Sequence, residues 1–179
     1  MDLRQKKTKQ TIFNAFLQLR AHKEIERITI KELCQLAQIS KATFYLHYRD
    51  IYDLSESLCR TAIEELLGRI SRPENFWENT SLFIQEVSLS IHGQKHMFDI
   101  LFSGSQRYLL PQTLESCIRD YAFAMRPELE ADAGFNILLS YQIQGSYYTY
   151  MENIERYGLE YVLKCLGEIS DSLSKYIPG

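Results

Sequence analysis

A chain of 179 residues, 45% hydrophobic and 24% charged, has the balance of an ordinary globular protein with one domain, or two small ones sharing a core. No apolar run approaches the roughly 18 residues that span a membrane, and MDLRQKKTKQ carries no apolar signal-peptide core, so the expectation is a cytoplasmic protein with no membrane partner. The net charge of −3 hides an asymmetry: residues 1–60 hold eleven Lys and Arg against seven Asp and Glu, a net +4, and residues 61–179 carry −7. A basic head on an acidic body implies a polyanion partner for the head, although solvated helix faces produce the same split. Cys34, Cys59, Cys117 and Cys165 are far apart and form no CxxC pair, which predicts free thiols that act as small buried hydrophobes.

Along the chain the apolar spacing is helical almost throughout, and the predicted fold class is all-α with about nine helices. From 8 to 21, Ile12, Ala15, Phe16 and Leu19 recur at i, i+3, i+4, i+7, with Phe13 and Leu17 widening the stripe. Thr29 opens a second helix and Glu32 completes a T-x-x-E capping box; Ile30, Leu33, Cys34 and Ala37 form its apolar face. After Gln38-Ile39-Ser40, Ser40 caps a third helix over 41–47. Asp50 caps a fourth, with Leu54, Leu58, Ala62 and Leu66 in line. SRPENFWENT (71–80) reads as a linker. Further helices are predicted over 80–92, 95–103 and 107–126, the last with Leu114, Cys117, Ile118, Tyr121 and Met125 as its stripe. A long helix follows over 133–156 and a final one over 159–176, separated by Gly158, and Pro178-Gly179 ends the structure.

The segment ISKATFYLHYRDIYDL (39–54) holds more rings than one short helix can bury. Two short helices joined by a three-residue turn form a helix-turn-helix, whose second helix lies in the DNA major groove. Phe44 and Tyr48, four apart, share a face and are assigned inward with Ile39 and Leu54. Lys41, Ala42, Tyr45, Leu46 and His47 then point outward, with Thr43 at the edge. Lys41 can donate to guanine acceptors and the Ala42 methyl can touch a thymine methyl. Thr43, Tyr45 and His47 offer donors to phosphate. A compact helical hairpin with exposed aromatics is the alternative.

TIKELCQLAQISKATFYLHYRDIYDL (29–54) closely resembles the DNA-binding signature of the TetR family of transcriptional regulators. That pattern reads roughly I-T-x-x-x-I-A-x-x-A-G-V-S-x-G-T-F-Y-x-H-F-x-x-K-x-x-L. Thr29, Leu33, Ala37, Ile39, Ser40, Thr43, Phe44, Tyr45, His47, Tyr48 and Leu54 match it, and with the first helix the resemblance covers about residues 8–60. The DNA-facing set expected from it is Thr29, Ser40, Lys41, Ala42, Thr43, Tyr45 and His47. Three positions depart. Gln38 replaces the turn glycine and must bear a strained or altered turn. Ala42 replaces the second glycine. Ile51 stands where the family usually has a lysine that approaches a phosphate. DIYDL is also similar to the dihydroxyacetone-kinase regulators, some of which act as coactivators with a protein partner.

The resemblance implies a division into a helix-turn-helix domain (1–50), a connecting helix (51–70) and a helical body for effector binding and dimerisation (71–179). The expected function is a homodimeric regulator of a palindromic operator, a repressor released by a small molecule; the alternative is a coactivator whose body binds a protein. In the body, Tyr141, Gly145, Tyr148 and Thr149 on the long helix, with Tyr161, Cys165 and Glu168 on the last, suit an interface. Leu159, Val162, Leu163, Leu166 and Ile169 are the predicted core of the last helix. Met97, Phe98, Phe102, Tyr121, Phe135, Gln142 and Ser146 can line a ligand cavity, although such a stripe also describes plain core. His92 and His96 are four apart, but without a third ligand of suitable spacing no metal is predicted. No cofactor is predicted either. There is no Gly-rich loop, HExxH or GxSxG, so an enzyme is not expected.

Overall fold

The computed structural model describes residues 3–176, apart from the side chain of Arg4; the predicted Pro178-Gly179 terminus lies outside them. The described residues form ten α-helices: α1 Leu3–Arg20, α2 Ile30–Leu36, α3 Lys41–Tyr45, α4 Ile51–Leu67, α5 Asn75–Glu78, α6 Thr80–Gly93, α7 Lys95–Leu101, α8 Leu109–Met125, α9 Ala133–Tyr157 and α10 Leu159–Ser174. Single 3-10 turns occur at Ile25–Arg27, Gly104–Gln106 and Pro127–Leu129, and no strand occurs among the described residues. The protein is all-α, as its periodicity predicts.

Short polar side chains start the helices by accepting from otherwise orphaned N–H groups. Thr29 Oγ1 accepts from Glu32 N at 3.2 Å, and Asp50 Oδ1 accepts from the N–H groups of Tyr52 and Asp53, both at 2.8 Å. Asn79 and Asp132 cap α6 and α9 in the same way. Only half of the expected capping box is used, because the Glu32 carboxylate pairs with Lys23.

The chain forms two compact units: one from the chain up to Thr61 with Lys95–Leu110, the other from Ala62–Gln94 with the chain from Pro111 on. In the first unit α1 packs against α2 and α7, and α2 against α3. Ile12, Phe16, Ile25, Leu33, Phe44 and Leu54 are wholly buried in this unit. A buried cation joins them. The Arg20 guanidinium donates to Lys23 O at 2.9 Å, to Ser103 O at 3.2 Å and to Ser103 Oγ at 2.5 Å. Gly104 follows with φ +57°, a backbone conformation that favours glycine; a Cβ there would meet only the Glu24 carboxylate, the mobile end of an exposed side chain.

In the second unit α10 packs against α6 and α9. Gly167 sets the first approach: a Cβ on it would lie 2.4 Å from Ser81 Oγ. The buried side of α10 is Val162, Leu163, Leu166, Gly167 and Ser170, two i+4 rows. Ile169, expected in this core, falls off those rows and is 51% exposed. Met125, expected in the α8 stripe, is also exposed, while Leu114, Cys117, Ile118 and Ala122 are buried.

The segment read as a linker is structured. Phe76 N donates to Pro73 O at 3.1 Å, α5 follows, and the Phe76 ring is buried against Trp77 and Phe83, with centroids 4.7 and 5.1 Å away. Burial of the Phe76 ring and partial burial of Trp77 outweigh a polar, Pro-containing composition.

Candidate nucleic-acid interface

The helix-turn-helix is built from residues 29–48. Ala37 closes α2, and Gln38 then adopts φ +55°, in the left-handed region usually left to glycine. The turn is completed by Ile39 N donating to Cys34 O at 3.0 Å. Ser40 Oγ accepts from Thr43 N at 3.0 Å, and the Ser40 and Thr43 hydroxyls bond to each other at 2.8 Å. Each serves the cap first, which leaves their pair one O–H to offer a partner.

α3 is shorter than expected, ending at Tyr45, and His47 lies in the turn behind it. Phe44 and Tyr48 are buried, their rings 5.8 Å apart. Burial pushes the Tyr48 phenol up, against a hydrogen bond with Ser57. Lys41, Ala42, Tyr45 and Leu46 are exposed, and Thr43 and His47 are half-buried. One short element therefore carries an aromatic core face and a face bearing a cation, a methyl, a phenol and an aliphatic side chain. Thr29 is exposed at the start of α2.

Behind α3, Ile51 is buried and offers nothing to a phosphate. The exposed cation there is Arg49, which sequence reasoning passed over. Its guanidinium donates to Asp53 Oδ1 at 2.8 and 3.2 Å, and its backbone N–H to Asp53 Oδ2 at 2.9 Å. These bonds hold the Asp53 carboxyl below its ordinary range and the Arg49 guanidinium above its own. The i, i+4 spacing of Arg and Asp was the available signal.

The predicted ligand residues fall in different units: Met97, Phe98 and Phe102 in the first; Tyr121, Phe135, Gln142 and Ser146 in the second. Tyr121 and Phe135 join one ring cluster through Phe76 and Trp77, with centroid separations of 6.1 Å for Phe76–Tyr121 and 5.4 Å for Trp77–Phe135. Trp77 Nε1, Tyr121 Oη and Gln142 Nε2 are buried without a hydrogen-bond partner. A hollow of about 480 Å³ opens elsewhere in the same unit, lined by Ser71, Arg72, Leu82, Glu86 and Leu89 among others, and none of the seven predicted residues lines it.

Of the predicted interface residues, Tyr141, Gly145, Tyr148, Tyr161 and Glu168 are exposed, and Thr149 and Cys165 half-buried. A Cβ on Gly145 would meet nothing within 4 Å. His92 Nδ1 bonds the Tyr150 hydroxyl at 3.0 Å, and no group of three metal-ligating side chains occurs among the described residues. Among the described residues, no helix is long and apolar enough to cross a membrane.

No protein-family model matches the chain. It is similar to an uncharacterized HTH-type transcriptional regulator, YvdT, of Bacillus subtilis (strain 168), with 23% identity over 99 residues, 53% of this chain and 51% of that protein. The match thus spans about half the length of each.

Proposed function

We propose that this protein is a TetR-type transcriptional regulator that binds a palindromic DNA operator as a homodimer and is a repressor released by a small-molecule effector. The observation that carries the reading is the sorting of side chains on α3 and the turn after it: Phe44 and Tyr48 buried, and Lys41, Ala42, Tyr45 and Leu46 exposed, behind a turn that accepts φ +55° at Gln38. A five-residue helix gains little from so exposed a face unless a partner covers it. Similarity to an HTH-type transcriptional regulator supports the same class.

In this reading Lys41 and Ala42 meet base edges, while Thr29, Ser40, Thr43, Tyr45 and His47 meet phosphates. Residues 1–50 form the DNA-binding part, 51–70 connect, and 71–179 bind the effector and dimerise. Two copies join through Tyr141, Gly145, Tyr148 and Thr149 of α9 and Tyr161, Cys165 and Glu168 of α10. Of the seven effector residues expected, this reading keeps the four that share the second unit, Tyr121, Phe135, Gln142 and Ser146; Tyr121 Oη and Gln142 Nε2 are buried there without partners.

Selection of bound duplexes from a random library tests the reading. An inverted repeat with half-sites about one or more helical turns apart is expected; recovery of no enriched sequence contradicts it. A second reading, a coactivator that docks on a protein, is favoured by Ile51 alone, whose burial removes one family phosphate contact. Co-purification with a protein and no DNA enrichment would select it.

A further inference from the structure

The hollow of about 480 Å³ lies along one face of α6, opposite residues 71–75, and its size falls within the roughly 300–1,000 Å³ of small-molecule sites. Two opposite charges line it. Ser71 N donates to Glu86 Oε1 at 2.7 Å, so one carboxylate oxygen is held and Oε2 is left over. Arg72 follows directly, its Cα about 3.8 Å from that of Ser71, and it lines the same hollow as Glu86. The Arg72 guanidinium nevertheless pairs with no carboxylate among the described residues. Leu82 and Leu89, both exposed, supply apolar ground, seven residues and about 10 Å apart along the helix.

These features favour a ligand that answers both charges. An anion drawn to Arg72 is repelled by Glu86, a cation drawn to Glu86 is repelled by Arg72, and a purely apolar molecule desolvates both without replacing their partners. A molecule that carries a carboxylate, a nearby ammonium and an aliphatic group meets all three demands. We propose that this hollow is a binding site for a zwitterionic amino acid with an aliphatic side chain: its carboxylate on Arg72, its ammonium on Glu86 Oε2, and its side chain across Leu82 and Leu89. Tyr121 does not line the hollow, but it feels the Glu86 charge. Burial, then the charges of Glu74 and Glu86, push its phenol up, and its Oη has no partner. The site uses residues of the second unit only and does not rest on the DNA-binding reading.

Calorimetric titration of the full chain with leucine, isoleucine, valine and methionine tests it, beside isocaproate, which lacks the ammonium, and isopentylamine, which lacks the carboxylate. The fluorescence of Trp77, the sole tryptophan, on the helix that contributes Asn75 to the hollow, gives a second readout. Saturable binding of at least one of the amino acids is expected, with each single-charge analogue weaker by about tenfold or more. Arg72→Gln and Glu86→Gln should each weaken the amino acid by about tenfold, and Glu86→Gln, whose amide oxygen can still accept from Ser71 N, should remove the penalty on isocaproate. No saturable signal from any of the four amino acids overturns the proposal. So does equal binding of isocaproate by the unsubstituted protein, or undiminished binding by either folded variant.

Discussion

The rings of Phe44 and Tyr45 meet edge to face with centroids 5.5 Å apart, yet Phe44 is wholly buried and Tyr45 is 56% exposed. Adjacent residues on a helix point about 100° apart, so a five-residue helix presents two faces with different tasks. Phe44→Ala should destabilise the protein by roughly 3–5 kcal/mol, the cost of lost burial and a cavity. Tyr45→Ala should leave the melting temperature almost unchanged. Thermal melts of the two variants distinguish these tasks, and a larger loss from Tyr45→Ala would reverse the sorting.

Gln38 holds φ +55° in the turn before α3, a conformation that costs an L-residue about 1–2 kcal/mol. Gln38→Gly removes that strain and returns part of it as unfolded-state entropy. A net gain of about 0.5–1 kcal/mol is expected, read as a higher urea midpoint at constant m-value. A lower midpoint would mean that the Gln38 side chain contributes more than its backbone costs.

These two positions show what was legible in the sequence. Gln38 was marked by standing where the resembling signature has its turn glycine, and the burial of Phe44 and Tyr48 by their spacing, which is decided within a few residues. The ring cluster was not legible. Trp77 and Phe76 sit in a polar stretch after Pro73, and only packing against Phe135, Tyr121 and Phe83 makes them core. Ile169 failed for the same reason: packing against α6 settles that Gly167 and Ser170, not Ile169, extend the buried rows of α10. The hollow beside α6 depends on Ser71 reaching Glu86, fifteen residues away, and no local pattern announces it.

Glu115 on α8 is a hub in the second unit. Burial raises its pKa, but hydrogen bonds donated by Gln144 at 2.7 Å, Ser140 at 2.5 Å and Arg119 at 3.1 Å outweigh that and hold the carboxyl below its ordinary range. A folded-state pKa below the unfolded value contributes stability that is fully present above the unfolded value, near pH 4.5, and lost as pH falls through the folded one. Glu115→Gln should therefore lower stability at neutral pH and flatten the acid limb. Urea midpoints between neutral and acidic pH check this; an unchanged acid limb contradicts it.

Gly145 is exposed, with open space over its Cα, between the exposed rings of Tyr141 and Tyr148. If copies of the chain join there, Gly145→Arg should yield monomers with unchanged helical circular dichroism and weakened DNA binding. Sedimentation velocity reads the outcome, and a variant as dimeric as the parent would move the interface elsewhere.

The central claim is that the face of α3 bearing Lys41 and Tyr45 reads DNA. Its most direct measurement is a titration of the selected duplex at two salt concentrations with the unsubstituted protein, Lys41→Ala and Tyr45→Ala. The account predicts tight, salt-sensitive binding by the unsubstituted protein. Tyr45→Ala should lose roughly 1.5–3 kcal/mol per subunit on all sequences, about a hundredfold or more in a dimer. Lys41→Ala should lose about 1–3 kcal/mol per half-site and relax the preference at one base position. If both folded variants bind the duplex as tightly as the parent, α3 is not the reading helix and the account is wrong.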